Sequence, residues 1–242
     1  MFCLGMSTRI LALDTSTDAC SVALMIDHVV ISERFAVAPR EHMQRILPMV
    51  DSLLAEAGIA LKNLDLLVFG RGPGSFTGVR IGIGIAQGLA LGADLPLVGV
   101  STLAALAQAA WRLTSARQVL TAIDARMGEV YWAQYRRQDD GIWLSDDSEA
   151  LVAPAALGVI TGDLEGNWAV AGNGWQTYPK LVCTNQLRLI PGETVLPAAQ
   201  DMLPLALQQW RNDGACSVTQ AAPTYLRNEV AWKPYLPKGF VK

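Results

Sequence analysis

The residues most able to do chemistry follow the first apolar run of the chain. Asp14 ends that run and precedes Thr15, Ser16 and Thr17. A carboxylate beside hydroxyl groups could hold a metal-bound nucleotide, as a phosphotransferase or an ATPase requires. The same residue types also form ordinary turns after strands.

A glycine-rich loop at residues 70–78 could bind an anion. Its sequence, GRGPGSFTG, follows an apolar run and precedes a predicted helix, so its backbone N–H groups could receive a phosphate at the helix N-terminus. It lacks the spacing of a P-loop and of a dinucleotide-binding loop. The plainer interpretation is a sharp strand-to-helix turn whose glycines supply unusual φ angles.

Histidine and cysteine give no metal-binding or catalytic pattern. The two histidines, His28 and His42, lack the H-x-x-x-H spacing of a helical metal site, and His42 is expected at a helix start, solvated or at an interface. The four cysteines form no C-x-x-C motif. Their scattered positions are typical of reduced thiols in a cytoplasmic protein. The sequence therefore predicts no catalytic residue and no metal ligand.

Composition and charge exclude further classes of protein. Hydrophobic residues make up 51% of the 242 residues and charged residues 17%, which excludes intrinsic disorder. The formal net charge is −3, so we expect no strong nucleic-acid binding by the chain alone. The longest apolar stretch, residues 82–93, is shorter than the roughly 20 residues that cross a membrane. We therefore expect a cytoplasmic protein with no membrane partner.

Apolar periodicity predicts the elements that position these residues. A helix carries an apolar stripe from Met43 and either kinks at Pro48 or starts near Arg45. Strands are predicted over residues 9–14, 20–26, 29–37, 64–70 and 95–100, and helices over 43–57, 77–92 and 102–111. The first three strands are expected to be antiparallel. This order, βββαβαβα, is that of one lobe of the ribonuclease-H-like, actin-type fold.

A change in composition near residue 110 predicts a second lobe. All seven tryptophans lie from residue 111 onward. Strands are predicted over residues 119–124, 129–136 and 143–144, and a helix near 198–210. We therefore predict a two-lobed α/β protein in which each lobe is a mixed sheet with flanking helices. The first lobe spans residues 8–110, the second 111–233, and residues 234–242 form a mobile tail.

The first two helices could form a docking surface for a partner. Apolar residues on the first recur at i, i+3, i+4 and i+7, and glycines on the second form i, i+4 strips. The predicted interface residues are Met43, Ile46, Leu47, Val50, Arg80, Ile83, Gly84 and Gln87. The same stripes could instead face the sheet of their own lobe, and the pattern does not separate the two alternatives.

Five segments together resemble the bacterial TsaB (YeaZ) family. They are residues 9–17 (RILALDTST), 42–49 (HMQRILPM), 70–82 (GRGPGSFTGVRIG), 171–175 (AGNGW) and 223–232 (PTYLRNEVAW). The resemblance extends over about residues 8–233, nearly the whole chain. The glycine loop and the last segment are specific when they occur together.

This resemblance implies a fold, a function and a set of partners. The fold is that of actin and Hsp70 (ASKHA). The function is to support synthesis of N6-threonylcarbamoyladenosine, 3′ of the anticodon in tRNAs that read codons beginning with A. The related subunit TsaD transfers the group, and the chain is its non-catalytic partner, joined by the ATPase TsaE. ATP and metal are expected on these subunits, tRNA is met only through the complex, and the chain alone is expected to form a homodimer.

One alternative remains open beside this expectation. Asp14, Thr15, Ser16 and Asn173 could line a nucleotide cleft, either vestigial or working. In the second case the chain would be an actin-like ATPase or phosphotransferase that uses Asp14.

Overall fold

Two mixed β-sheets with helices between and around them make up the fold. The computed structural model describes residues 7–145, 148–179, 181 and 187–227. The predicted tail, residues 234–242, and the end of the last matching segment, residues 228–232, lie outside the described residues.

The first sheet consists of five strands: β1 (Arg9–Asp14), β2 (Ala19–Ile26), β3 (Val29–Val37), β4 (Leu66–Gly72) and β5 (Leu97–Ser101). Their order is β3-β2-β1-β4-β5. β1, β2 and β3 are antiparallel as predicted, whereas β1, β4 and β5 run parallel. Asp27 and His28 link β2 to β3 with φ angles of 51° and 71°. Positive φ at both positions is what a tight two-residue hairpin turn requires.

Three helices accompany this sheet: α1 (His42–Ala57), α2 (Phe76–Ala93) and α3 (Thr102–Thr114). The hydroxyls of Ser75 and Ser101 cap α2 and α3 by accepting hydrogen bonds from backbone N–H groups three residues on. α1 runs through Pro48, so the predicted start near Arg45 is wrong. His42 in its first turn and Ile46 just after it are buried, and their packing outweighs the one hydrogen bond that proline cannot make.

The second sheet consists of six strands: β6 (Gln118–Asp124), β7 (Val130–Arg137), β8 (Trp143–Leu144), β9 (Ala150–Val152), β10 (Gly166–Ala171) and β11 (Leu187–Pro191). Their order is β11-β10-β6-β7-β8, and β9 pairs with β7. The same region holds two short helices, α4 (Leu157–Ile160) and α5 (Gly174–Thr177). The sequence did not predict β9, β10 or β11, because short strands between glycines and prolines give little periodicity.

The last helix, α6 (Ala199–Asp213), returns to pack on the first sheet. α1 and α2 cover the opposite face of that sheet, while α3 covers one face of the second sheet and contacts α6. There Arg112 donates two hydrogen bonds of 2.7 and 2.9 Å to the buried carboxylate of Asp201. The strands divide between β5 and β6, near residue 110, but α6 joins the layers of the first sheet. The division of the chain into two separate domains therefore remains a prediction.

A C-terminal strap, residues 216–227, follows α6 and connects the two sheets. Backbone groups of Cys216 and Leu97 exchange two hydrogen bonds of 2.8 and 3.1 Å, which place the start of the strap beside β5. At its other end, Arg227 donates to the carbonyl oxygen of Ala125 at 3.0 Å, in the turn between β6 and β7.

α2 is long and apolar enough to cross a membrane by length and composition alone. Six of its 18 residues are buried within the fold, and a single helix of this kind is weak evidence for a membrane span. Its other face is exposed and belongs to the candidate docking surface.

Candidate functional site

Asp14 lies at the end of β1 with its carboxylate enclosed. Its exposed fraction is 1%. Ser16 donates to both carboxylate oxygens, from its backbone N–H to Oδ1 at 3.2 Å and from its hydroxyl to Oδ2 at 3.0 Å. Thr102 Oγ1 in turn donates to the Ser16 hydroxyl at 3.2 Å. The structure therefore brings Asp14, Thr15 and Ser16 together as a turn whose polar groups are bonded inside the protein.

The glycine loop between β4 and α2 occupies the space in front of this turn. A Cβ atom at Gly74 would lie 2.2 Å from the carbonyl oxygen of Ser16, and one at Gly78 would lie 2.1 Å from that of Thr15. Real Cβ atoms essentially never come within 3.0 Å of another heavy atom, so only glycine permits this approach. The N–H of Ser75 also donates to the Ser16 carbonyl oxygen at 2.7 Å, which fastens the loop to the turn.

A nucleotide phosphate or a metal ion does not fit at this turn. The protein's own loop takes the space in front of this strand-end carboxylate. The backbone of β4 also closes on the carboxylate, because a Cβ atom at Gly70 would lie 1.9 Å from Asp14 Oδ1. The geometry therefore does not favour an ATPase or phosphotransferase that uses Asp14.

Asn173 belongs to a similar packed turn in the second sheet. Its Oδ1 accepts a hydrogen bond from the N–H of Asp124 at 2.9 Å. Gly172 and Gly174 approach the carbonyl oxygen of Ala122 so closely that their Cβ atoms would lie 2.2 and 2.8 Å from it. Asn173 thus holds the loop after β10 against the end of β6, rather than sharing hydrogen bonds with the turn after β1.

The ionisation of Asp14 makes the stability of the fold depend on pH. Burial raises the pKa of Asp14 from 3.8 to about 6, although hydrogen bonds from Ser16 and Thr15 oppose the shift. A folded-state pKa above the unfolded value means that the stabilising contribution is complete below the unfolded pKa and is lost as the pH rises through the folded one. At about 1.4 kcal/mol per pKa unit, the free energy of unfolding falls by roughly 3 kcal/mol across this window.

We expect Asp14→Asn to remove this pH-dependent part of the stability. Denaturant unfolding of the wild type and the variant at several pH values between about 4 and 7 measures it. Asp18→Asn, which alters an exposed carboxylate on the same turn, is the matched control and should retain the wild-type slope. A wild-type slope in Asp14→Asn would contradict the prediction.

His42, at the first position of α1, is buried rather than solvated. Its exposed fraction is 7%, and its ring Nε2 lies 2.8 Å from the carbonyl oxygen of Thr17. The prediction that His42 is solvated or at an interface is therefore wrong, because this contact fastens it to the turn between β1 and β2.

The described residues contain no group of three or more His, Cys, Asp or Glu side chains that could hold a metal ion. Cys20 and Cys216 are free thiols, while Cys3 and Cys183 lie outside the described residues. Burial and the neighbouring carboxylate of Asp14 raise the pKa of Cys20 to about 11, which suppresses the thiolate form that a nucleophile needs.

The predicted docking residues divide into a buried set and an exposed set. Ile46, Val50 and Ile83 are at most 5% exposed and pack in the core beneath α1 and α2. The prediction that these three residues lie on the docking surface is wrong, because their side chains face the first sheet. Gln87 is partly buried, and its Nε2 donates to the strap carbonyls of Val218 and Ala221 at 2.9 and 3.2 Å.

The remaining four predicted residues lie on an exposed helix face. Met43 and Leu47 stand one turn apart on α1 with exposed fractions of 71% and 47%. Arg80 and Gly84 are exposed on α2. The sequence-based prediction missed three further members of this face: Phe76 and Leu91, whose exposed fractions are 66% and 75%, and the exposed Gly88. Arg80 and Gly84 lie four and eight residues after Phe76. This spacing could have identified Phe76, since residues so spaced share one side of a helix. The exposed helix face is defined by Met43, Leu47, Phe76, Arg80, Gly84, Gly88 and Leu91.

Comparison with known sequences identifies the family. Residues 31–159 match the family model described as "TsaD: tRNA N6-adenosine threonylcarbamoyltransferase". The chain is 55% identical to the tRNA threonylcarbamoyladenosine biosynthesis protein TsaB of Escherichia coli K12, over 93% of this chain and 97% of that protein. It is 46% identical to the protein of the same name from Haemophilus influenzae, over 93% of this chain and 95% of that one.

Comparison with solved structures gives the same result for the fold. YeaZ from Pseudomonas aeruginosa is 45% identical and superposes with a TM-score of 0.82, over 90% of this chain and all of that one. A second Pseudomonas aeruginosa structure, described as similar to peptidase YEAZ, gives a TM-score of 0.83. The predicted fold class, mixed sheets with flanking helices of the ASKHA type, is confirmed. With these sequence and structural relatives along nearly its whole length, the chain belongs to the TsaB family.

Proposed function

We propose that the chain is a non-catalytic subunit that binds and activates TsaD. In this role it supports transfer of the threonylcarbamoyl group to N6 of the adenosine 3′ of the anticodon, in tRNAs reading codons that begin with A. The names of the relatives, which specify tRNA threonylcarbamoyladenosine biosynthesis, support the pathway. The observation that carries the non-catalytic role is the glycine loop seated on the turn of Asp14 and Ser16.

The exposed helix face is the proposed docking surface for TsaD. Exposed apolar side chains on neighbouring elements are candidate contacts for a partner, and Met43 and Leu47 on α1 and Phe76 on α2 are all at least 47% exposed. Cβ atoms at Gly84 and Gly88 would have no heavy atom within 4 Å. A helix of the partner could therefore approach the backbone of α2 closely, since the distance between packed helix axes depends on side-chain size at the contact.

The remaining partners and the compartment follow from the same proposal. Without TsaD the exposed helix face pairs with a second copy of itself and gives a homodimer. TsaE joins the heterodimer, and ATP and metal belong to these other subunits. The chain has no cofactor of its own, meets tRNA only within the complex, acts in the cytoplasm and has no membrane partner.

Size-exclusion chromatography with light scattering tests the docking. The chain is measured alone, then mixed with TsaD from the same organism, and we expect the homodimer to give way to a heterodimer. Modification of a tRNA transcript, with TsaD, TsaE, ATP and threonylcarbamoyl-adenylate as the group donor, and with the chain included or omitted, tests the activation. The proposed function would be overturned if the chain did not associate with TsaD. It would also be overturned if tRNA modification proceeded equally well when the chain was omitted.

A further inference from the structure

Two charged side chains on α1 and α2 have no ion-pair partner among the described residues. The two helices carry five titratable residues, and three of these are bonded within the chain. The three contacts join His42 Nε2 to the carbonyl oxygen of Thr17 at 2.8 Å, Arg45 to Glu41 at 2.6 Å, and Glu56 to Arg34. The remaining two have opposite charges: Asp51 on α1 and Arg80 on α2.

Asp51 adds a carboxylate to the edge of the exposed helix face. It lies four residues after Leu47 and eight after Met43, so the three side chains share one side of α1. Asp51 is exposed, as are both apolar neighbours. Its carboxylate is therefore available to a partner that covers Met43 and Leu47.

Two aromatic rings hold Arg80 in place on α2. Its guanidinium carbon lies 3.3 Å from the ring centroid of Phe76 and 5.1 Å from that of Tyr225 in the strap. Its Nη1 also donates to the carbonyl oxygen of Phe76 at 3.2 Å. A guanidinium group has five N–H donors, so this one contact leaves most of them for a partner. A side chain held in this way loses less conformational entropy when it binds.

The two opposite charges make the exposed helix face self-complementary. Across a two-fold axis each copy presents the same surface to the other. If Arg80 of one copy meets Asp51 of the second, the reverse contact forms by symmetry. A second copy therefore supplies the missing partner of both side chains at once, with no group from outside the chain.

The directions of the helices are compatible with this pairing. β3 and β4 both run parallel to β1, so α1 and α2, which follow them on one face of the sheet, share a direction. A two-fold axis normal to that face lays α1 of one copy antiparallel across α2 of the other.

The positions of the two charges along the helices also match. Arg80 is the fifth of 18 residues in α2 and Asp51 the tenth of 16 in α1. At 1.5 Å per residue, Arg80 lies about 7 Å before the middle of α2 and Asp51 about 2 Å after the middle of α1. With the axis through the helix centres, reversal of α1 brings the two within about 5 Å along the helices. Gly84, near the middle of α2, has space for a close crossing.

We propose that the exposed helix face pairs with a second copy of this chain through two symmetric ion pairs, each between Arg80 of one copy and Asp51 of the other. The inference rests on the homodimer of the proposed function and adds the contacts that fix its orientation. Ion pairs near the surface contribute little affinity by themselves. Apolar contacts of Met43 and Leu47 therefore supply most of the binding, while the charges select the partner and its register.

Reciprocal charge reversal tests the pairing. Asp51→Arg alone and Arg80→Glu alone each replace both ion pairs of the homodimer with like charges, so each is expected to weaken homodimerisation about 30-fold or more. In a mixed dimer of the two variants, the two native side chains meet each other and the two introduced ones do the same. Sedimentation equilibrium, with a fluorescent label on one variant, should show the mixed dimer forming with nearly wild-type affinity.

Charge reversal elsewhere on the molecule is the matched control. Arg211→Glu and Asp213→Arg alter exposed residues of α6, which packs on the opposite face of the first sheet. They should leave homodimerisation unchanged, both singly and as a mixture. The proposal would be overturned if the Asp51 and Arg80 variants associated no better together than apart, or if the α6 variants weakened the homodimer equally.

Neutral variants provide the reading if thermal melting shows a reversed variant to be unfolded. Asp51→Asn and Arg80→Gln each remove both ion pairs without introducing repulsion. Because salt screens such pairs, the dissociation constant of the wild-type homodimer should rise with salt concentration, and this dependence should largely disappear in either variant. An unchanged salt dependence in both would contradict the pairing.

The outcomes separate this inference from the proposed function. A wild-type chain that stays monomeric at every concentration overturns the inference, while titration with TsaD still tests the docking. Reciprocal pairing in a chain that does not bind TsaD supports the inference and overturns the proposed function. If the reversed variants remained homodimers but lost TsaD binding, the two charges would belong to the heterodimer, and pairing with a second copy would be overturned.

Discussion

Gly78→Ala is expected to lower the free energy of unfolding by about 4 kcal/mol. The new methyl group would lie 2.1 Å from the backbone carbonyl oxygen of Thr15, which cannot move aside as a side-chain end could. Overpacking of this kind costs about 1–3 kcal/mol. Displacing α2 would also break the 2.7 Å hydrogen bond from Thr15 Oγ1 to the Gly78 carbonyl oxygen, which is buried, at a further cost of about 1–3 kcal/mol.

Gly84→Ala is the matched control on the same helix. A Cβ atom there meets no heavy atom within 4 Å, so alanine should raise the free energy of unfolding by about 0.5–1 kcal/mol through its better helix propensity. Denaturant unfolding of both variants measures the contrast. Equal effects at Gly78 and Gly84 would contradict the view that the loop is seated on the Asp14 turn.

Leu47→Glu is expected to weaken association with TsaD about 100-fold or more. Leu47 is 47% exposed on α1 beside Met43, and central apolar residues of an interface contribute about 2 kcal/mol or more when removed. A buried carboxylate without a partner adds to that cost. Titration of labelled TsaD with the variant measures the dissociation constant, in which about 1.4 kcal/mol corresponds to tenfold.

Leu113→Glu separates docking from general surface effects. Leu113 lies on α3 with an exposed fraction of 48%, nearly that of Leu47, but outside the exposed helix face. We expect wild-type affinity for TsaD and wild-type tRNA modification. Equal weakening by both substitutions, or unchanged binding by Leu47→Glu, would rule out α1 as the docking helix.

The order of the first elements could be predicted from the sequence, but the direction of each helix face could not. An i, i+3, i+4, i+7 stripe covers an arc that is wide enough to include both core and surface positions. Ile46 and Leu47 are neighbours within the stripe, yet they are 0% and 47% exposed. Periodicity identifies α1 as amphipathic, and only the position of the first sheet decides which part of the stripe it covers.

The remaining features depend on contacts between distant parts of the chain. The glycines of α2 indicate a close approach of some kind, but the carbonyl oxygen that Gly78 meets belongs to Thr15, 63 residues earlier. Arg112 and the buried Asp201 likewise lie 89 residues apart, and their two hydrogen bonds form only because α6 returns to pack beside α3.

The C-terminal strap also covers part of one edge of the first sheet. β5 is its last strand, and unpaired backbone groups on such an edge are templates for pairing with other chains. The hydrogen bonds between Cys216 and Leu97 cover part of that edge. Proteolytic cleavage or truncation before residue 216 would expose it and favour aggregation through strand pairing. The strap thus covers part of an exposed sheet edge as well as joining the two sheets.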